Sequence, residues 1–159
     1  MKIGMVNDNT NFETDLNYDE YGICEIQAHL FEYVANQGVD IEWFTKAYLC
    51  SDFCRRAMDT IYSRFQTADE LEHLDFLLPE VGTLQEYEDN TMFDPDVAWW
   101  IGFTYRQLYI QTQISSKELY ERISFETMCR YYPGLHTVDE EMATDIICEN
   151  FGLQKVIRK

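Results

Sequence analysis

Residues 94–113 read DPDVAWWIGFTYRQLYIQTQ, and this segment sets the architecture that the rest of the chain has to adopt. Asp94 is a favoured N-cap residue, and Pro95 suits the first position of a helix. Apolar side chains then recur on all sides for three turns, which is typical of a helix buried by its neighbours. We therefore predict a central buried helix over about residues 95–113, with one core containing Trp99, Trp100, Phe103 and Leu108.

Cap residues and helix stops on either side of this segment predict further helices. They are expected over residues 21–36, 41–50, 51–65, 67–79, 115–123, 124–133 and 137–152. The helices beginning near Thr67, Ser115 and Thr137 rest on capping-box patterns, with Thr137 itself as the cap. Proline is expected to stop two of them, at Pro79 and at Pro133.

Alternating strands, hairpins and internal repeats are not evident in the sequence, so the predicted fold is all-α, a compact single domain of seven or eight helices around the central helix. Residues 1–18 form a polar N-terminal arm, in which residues 2–6 could make a short strand. Residues 19–154 form the helical domain. Residues 155–159 form a basic tail that is expected to fray.

Acidic residues outnumber basic residues by 29 to 12, giving a formal net charge of −17. Ten carboxylates and no Lys or Arg lie between Arg64 and Arg106, and residues 3–45 repeat the pattern with nine. Ten Phe, 11 Tyr and 3 Trp indicate a folded chain with an acidic shell, not a disordered one. Such a surface repels nucleic acid and anionic lipid, so we expect neither as a partner and expect a basic protein instead.

Metal, cofactor and nucleotide sites are not expected. The glycines are isolated, so no phosphate-binding loop can form. Cys50 and Cys54 have C-x3-C spacing, unlike the C-x2-C of zinc ribbons. The Glu70-x-x-His73 motif occurs once, whereas di-iron bundles use it twice with two further glutamates. His73 is then expected to be a surface or boundary histidine.

No catalytic set is apparent from the residues. Cys129 and His136 are seven positions apart and could in principle form a nucleophile–base pair. Cys129 lies late in its predicted helix among acids, which would raise the pKa of its thiol, so a structural cysteine is favoured. With 29 carboxylates in the chain, any single acid pair is uninformative.

The acidic loop before the central helix is the candidate docking surface for a basic partner. Its charges would tune encounter, and its aromatic residues, together with Trp99 and Trp100, would act as anchors. The simpler interpretation is helix capping plus a hydrated loop. The candidate partner-binding residues are Glu86, Tyr87, Glu88, Asp89, Phe93, Asp94 and Asp96.

From Trp100 onward, the order of residues resembles a small uncharacterised bacterial family. The pattern is an apolar helix, a Ser-Gly-Lys-Glu-like helix start, Tyr-Tyr-x-x-Leu-His-Thr, and a helix containing Asp-Ile. It covers about a third of the chain, and Ser116 stands where the family has Gly. The matching residues are Ser115, Lys117, Glu118 with Leu119-Tyr120, then Tyr131, Tyr132, Leu135, His136 and Thr137, and finally Asp145-Ile146.

Members of that family are encoded beside proteins resembling ADP-ribosyltransferases, an arrangement that looks like toxin and antitoxin. The resemblance implies that the chain binds and restrains such an enzyme. The leading hypothesis is a non-enzymatic, antitoxin-like interaction protein. An odd number of cysteines and a polar start lead us to expect the cytoplasm.

Two alternatives to this hypothesis stay open. One is an enzyme of unrecognised type that uses carboxylates or the Cys-His pair, which should have a deep polar pocket with pKa-shifted groups. The other is a regulatory subunit that docks another cationic protein. An interaction protein of either kind should have an exposed apolar patch bordered by acids.

Overall fold

The computed structural model describes residues 13–89 and 91–158, and within these residues the chain is all-α and without a strand. Residues 1–12, which include the short strand considered at 2–6, lie outside the described residues, as do Asn90 and Lys159. The helices are α1 (Tyr18–Asn36), α2 (Ile41–Leu49), α3 (Asp52–Ala57), α4 (Glu70–Val81), α5 (Pro95–Thr112), α6 (Ser116–Arg122), α7 (Phe125–Leu135) and α8 (Glu140–Phe151), with a 3-10 turn at Arg64–Gln66.

The predicted central helix is confirmed as α5, which begins at Pro95 with Asp94 as its N-cap. It contacts α1 along most of its length and also touches α6, α7 and α8. The prediction of one core is wrong in detail, because the buried residues form two clusters. Trp100 and Leu108 belong to the main core, whereas Phe103 lies in a smaller cluster against which the half-buried Trp99 packs.

Gly102 allows α1 and α5 to approach closely. A Cβ atom at Gly102 would meet Phe31 Cγ at 2.8 Å and the Gln27 carbonyl oxygen at 2.9 Å. The Gln27 amide donates in turn to the Gly102 carbonyl, at 2.9 Å. The missing side chain therefore permits a hydrogen bond between the two helices as well as their packing.

The predicted caps at Thr67 and Thr137 are both wrong, and for the same reason. Each is followed two residues later by an aspartate, and that aspartate caps the helix: Asp69 accepts from Glu72 N, and Asp139 from Met142 N. The threonine hydroxyls instead donate backwards, to the carbonyls of Arg64 and Gly134. A carboxylate is the better acceptor at the positive end of a helix.

The predicted helix over residues 51–65 is also wrong, because α3 ends at Ala57. The chain leaves the helical path there because the Arg106 guanidinium donates hydrogen bonds to the Met58 carbonyl and the Asp59 carboxylate. Ile61, which lies inside the predicted helix four residues after Ala57, is 79% exposed as a result. Residues 58–63 therefore form a bent segment in which Met58 is buried in the core while Ile61 and Tyr62 are exposed.

Neither predicted proline stop holds. Pro79 and Pro133 both lie inside the last turn of a helix, and α4 and α7 continue to Val81 and Leu135. A proline so close to the end removes one backbone hydrogen bond without disrupting the preceding turns.

The two ends of the described chain meet. Arg158 binds the Glu20 carboxylate at 2.7 Å and the carbonyls of Thr14 and Asp15. Lys155 forms ion pairs with Glu141 and Asp145. The basic tail, expected to fray, is instead held against the end of the arm at residues 13–17.

Candidate protein-interaction surface

The acidic loop is attached to the turn between α1 and α2. An antiparallel bridge joins Glu86 to Val39, the Gln85 carbonyl accepts from Asp40 N at 2.8 Å, and Tyr87 N donates to the Gly38 carbonyl. These bonds fix the loop backbone while leaving the carboxylates of Glu86, Glu88 and Asp89 exposed.

The aromatic residues proposed as anchors in this loop are used within the fold. The Tyr87 hydroxyl accepts from Ile41 N at 3.3 Å, and Phe93 packs on Phe125 with ring centres 5.6 Å apart. Asp94 caps α5, and Asp96 is exposed. The predicted loop site is therefore a fixed acidic surface with few free apolar groups of its own.

An exposed apolar feature lies elsewhere, in a groove between the start of α1 and residues 61–67 (the apolar groove). It has a volume of about 930 Å³. Three large side chains line it while lying almost wholly in solvent: Tyr18 at 92% exposure, Ile61 at 79% and Tyr62 at 89%. Asp19, Glu20 and Glu25 border it, with Arg64 as its one basic lining residue.

A second, smaller cavity lies between α5 and the turn that leads into α8 (the aromatic pocket). It encloses about 130 Å³. Three aromatic rings, Trp99, Trp100 and Phe103, line it together with polar Thr104, Gln107, His136 and Glu140. Its remaining lining residues are Val138 and Ala143.

Tyr21 connects the two features. It lines the apolar groove, and its ring meets that of Phe103 edge-on at 5.1 Å. Burial raises the pKa of Tyr21 to about 12, and the carboxylate of Glu140 contributes to the shift. The groove and the pocket therefore lie side by side on one face of the molecule.

The residues of the family pattern divide into two groups. Tyr132 and His136 stack in parallel, 4.2 Å apart, and Tyr132 also packs edge-on against Trp100. Through these contacts the Tyr-Tyr-x-x-Leu-His-Thr segment forms one wall of the aromatic pocket. Most of the other residues of the pattern stabilise the fold. Ser115 caps α6, Glu118 forms an ion pair with Arg122, and the side chain of Leu135 is buried. The Tyr131 hydroxyl accepts a hydrogen bond from Asn150, whereas the Lys117 side chain is exposed.

Sequence reasoning missed the apolar groove and most of the aromatic pocket. The helix predicted over residues 51–65 includes Ile61, and that prediction does not indicate the exposure of Ile61 beside Tyr62. The polar residues Thr104 and Gln107 inside an otherwise apolar helix were the available signal for the pocket, because polar side chains are buried there only with partners or beside a cavity.

The most polar buried cluster in the described chain is structural. Arg106 is fully buried and pairs with Asp59 at 2.7 Å. Its other donors reach Gln27 at 2.8 Å, Ser116 at 3.0 Å, the Cys54 sulfur and the Met58 carbonyl. All three guanidinium nitrogens of Arg106 donate hydrogen bonds, so the cluster joins α1, α3, α5 and α6.

The Cys129 thiol and the His73 imidazole were both considered as reactive or metal-binding groups. Burial raises the pKa of the Cys129 thiol, and Glu42 and Glu126 add to the shift, which is the opposite of what a nucleophile requires. His73, expected at the boundary, is instead fully buried, with Nε2 2.6 Å from the Phe65 carbonyl, and burial lowers its pKa. Its Nδ1 has no hydrogen-bond partner in the described part of the chain.

Among the described residues, no three His, Cys, Asp or Glu side chains lie close enough together to hold a metal ion. No helix in residues 13–89 and 91–158 has the length and apolar character needed to cross a membrane. Comparison of the chain with family models, with curated proteins and with solved structures finds no match.

Proposed function

We propose that this chain is a non-enzymatic interaction module that binds a basic protein through the apolar groove and the acidic surface around it. The observation that carries the proposal is the joint exposure of Tyr18, Ile61 and Tyr62 along one groove. Large apolar side chains gathered in this way are typical of binding sites, and aromatic residues supply much of the energy of interfaces.

The charge of the chain supports a basic partner. Neither Asp19 nor Glu25 forms an ion pair with another described residue, and Arg64 is already paired with Glu72 at 2.7 Å. The border of the groove therefore carries unneutralised negative charge on a chain whose net charge is −17. Such a border accelerates the approach of a cationic surface and discriminates against acidic ones.

More specifically, we propose that the chain is a cytoplasmic antitoxin-like protein that restrains an ADP-ribosyltransferase-like enzyme. The resemblance in the last third of the chain supports this partner. The chemistry agrees with it, because an enzyme that binds an anionic nucleotide presents a basic surface that an acidic inhibitor could cover.

The raised pKa of the Cys129 thiol argues against the alternative of an enzyme that uses a Cys-His pair. The regulatory-subunit alternative differs from the proposal only in the identity of the basic partner. Both interaction hypotheses require the same groove, so a groove variant tests them together, and relief of toxicity separates them.

The test is to co-express the chain with the neighbouring ADP-ribosyltransferase-like protein and to measure relief of toxicity and the binding kinetics of the pair. Replacing Ile61 and Tyr62 with Ser should weaken binding on the order of tenfold or more, because hot-spot residues are lost. Leu71→Ser is the matched control, since Leu71 is also exposed but lies outside the groove.

Association should also slow as salt is added, and reversing Glu86, Glu88 and Asp89 to Lys should slow it further without unfolding the chain. If the double groove variant binds and protects like the unaltered chain, the groove is not the interface. If the unaltered chain neither binds nor protects, the antitoxin proposal fails.

A further inference from the structure

We propose that the aromatic pocket holds the cationic end of a single lysine or arginine side chain inserted by the basic partner. This inference rests on the proposed function for the identity of the partner, but the chemistry of the pocket can be tested without that partner. It assigns a recognition role to Trp99, Glu140 and His136, three residues from two separate segments of the chain.

The size of the pocket limits what can bind. At about 130 Å³ it is far smaller than the clefts of about 300–1,000 Å³ that enclose drug-sized ligands and cofactors. A nucleotide or a folded peptide segment cannot enter such a space. The end of one long side chain can.

The aromatic walls favour a cation over a neutral apolar group. Trp99, Trp100 and Phe103 line the cavity, and Trp99 stacks on Phe103 with ring centres 5.1 Å apart. The faces of aromatic rings, tryptophan most strongly, attract ammonium and guanidinium groups, and the attraction grows when the cation is removed from water.

Two polar groups of the pocket lining can accept hydrogen bonds from a ligand. Gln107 is 1% exposed, and its amide nitrogen donates to the Glu140 carbonyl, Gln111 and Thr144, yet its oxygen accepts from no described residue. The hydroxyl of Thr104, a residue 3% exposed, likewise takes part in no hydrogen bond with a described residue. Neither oxygen is among the described buried polar atoms that lack a partner, so both are open to water or to a ligand that displaces it.

His136 adds a further acceptor to the lining. Its Nδ1 lies 2.6 Å from the Tyr132 carbonyl, and a carbonyl can only accept, so Nδ1 carries the proton. In the neutral ring this leaves Nε2 as an acceptor. Lysine and arginine side chains carry several N–H donors and no acceptor, which matches such a set of groups.

The electrostatic surroundings are negative. Glu140 lines the pocket, and the carboxylates of Asp94 and Asp96 lie near enough to add to the effect of burial in raising the pKa of Tyr132, which stacks on His136. In contrast, no Lys or Arg of residues 13–89 and 91–158 lines the cavity. A positive group therefore enters an uncompensated negative field.

The position of the pocket favours a side chain of a docked protein over a free small molecule. Tyr21 lines the apolar groove and contacts Phe103 of the pocket, so a protein bound in the groove would lie next to the pocket. The groove would supply apolar contact area, and the pocket would select partners with a suitably placed basic residue.

The experiment follows the indole N–H signals of Trp99 and Trp100 by NMR while Nα-acetyl-lysine methylamide is added at millimolar concentrations. The arginine analogue is tested in the same way, and the norleucine analogue serves as a neutral probe of similar length. We expect saturable shifts of both indoles with at least one cationic probe and none with norleucine. Absence of shifts with both cations, or equal binding of norleucine, overturns the proposal.

Variants separate the pocket from general charge. Glu140→Gln should weaken binding of the cationic probe on the order of tenfold, because it removes a charged acceptor while retaining shape. Glu149→Gln removes the same charge from an exposed position at the far end of α8 and should leave binding unchanged. Equal loss in both variants, or no loss in Glu140→Gln, contradicts a pocket-specific cation site.

The same measurement distinguishes failure of this inference from failure of the proposed function. Probe binding at Trp99 and Trp100 does not require the partner protein. If the probes bind but no basic protein is restrained, the pocket stands and the antitoxin proposal falls. If the partner binds and is restrained while the probes do not bind, the antitoxin proposal stands and the cation site in the pocket falls.

Discussion

Arg106 shows how one residue can shape the fold around it. A guanidinium group without solvent contact is costly unless it is paired and hydrogen-bonded, and here the partners come from three parts of the chain: Gln27, residues 54–59 and Ser116. Meeting this requirement ends α3 early, because Met58 and Asp59 must turn inward to reach the guanidinium. The exposure of Ile61 and Tyr62 in the apolar groove follows from that turn.

Removing one partner of this buried pair should therefore be severe. We expect Asp59→Asn to lower the free energy of unfolding by about 3–5 kcal/mol, because Arg106 would remain charged and buried without its counter-ion. Glu126→Gln, which breaks an exposed pair with Arg130, should cost no more than about 1 kcal/mol. Urea unfolding of both variants measures the difference. Similar losses would mean that Asp59 contributes no more than a surface charge.

At the scale of elements, the crossing of α1 and α5 depends on Gly102. We expect Gly102→Ala to destabilise the protein by about 1–3 kcal/mol, because the new methyl group would meet Phe31 and the Gln27 carbonyl at 3.0 Å or less. Gly134→Ala is the control within a helix, since nothing lies within 4 Å of its Cβ position. It should be neutral or stabilise by about 1 kcal/mol. Thermal unfolding of both variants decides, and a stabilising Gly102→Ala would contradict the close crossing.

The elements could be predicted where their signals were local. Pro95 with its Asp cap and the apolar run after it defined α5, because caps and periodicity act within a few residues. The N-caps of α4 and α8 were predicted two residues too early, at Thr67 and Thr137 instead of Asp69 and Asp139. A threonine hydroxyl can either cap the helix that follows or donate to a carbonyl of the preceding turn. Which hydrogen bond forms depends on the other acceptors nearby in the folded protein, and the residue types alone do not show which acceptor is preferred.

The candidate site could not be predicted in the same way, because it depends on contacts between distant segments. No residue near Ile61 in the sequence indicates that hydrogen bonds from Arg106 to Met58 and Asp59 will end the helix and leave Ile61 exposed. The aromatic pocket brings Trp99 together with His136 and Glu140 across more than 35 positions. Only the acidic character of the surface was accessible in advance, since net charge is a property of composition.

At the scale of the whole molecule, the contact between the two chain ends concentrates negative charge in one place. Burial together with the neighbouring Glu141 carboxylate raises the pKa of Asp15 to about 6, despite the opposing effect of Lys155, and Asp145 adds to the rise. A carboxyl with a raised pKa holds its proton in the folded state at pH values where the unfolded chain has lost it. Its ionisation therefore costs stability above pH 6, and the cost disappears as the pH falls towards its ordinary pKa.

Other groups respond to pH differently, so the Asp15 effect has to be isolated. Burial lowers the pKa of His73, so its contribution to stability is lost as the pH falls through the ordinary histidine range. Burial alone would raise the pKa of Glu20, but its hydrogen bonds with Arg158 and Asn17 lower it, so its contribution is lost only below about pH 4.5. General repulsion among the excess acids acts in the same direction as Asp15 and is relieved on acidification.

The difference between Asp15→Asn and the unaltered chain removes these common contributions. We expect the variant to be the more stable at pH 7, by on the order of 1 kcal/mol after allowance for solvent screening, or about 2–4 °C in Tm. The advantage should shrink as the pH falls below 6 and vanish near the ordinary pKa of 3.8, where Asp15 is protonated in both the folded and the unfolded chain. Asp19→Asn removes the same charge from an exposed residue and is the control for loss of charge alone. A constant difference in Tm between pH 7 and pH 4.5, or a less stable Asp15→Asn at pH 7, would show that Asp15 and Glu141 do not repel each other in the folded protein.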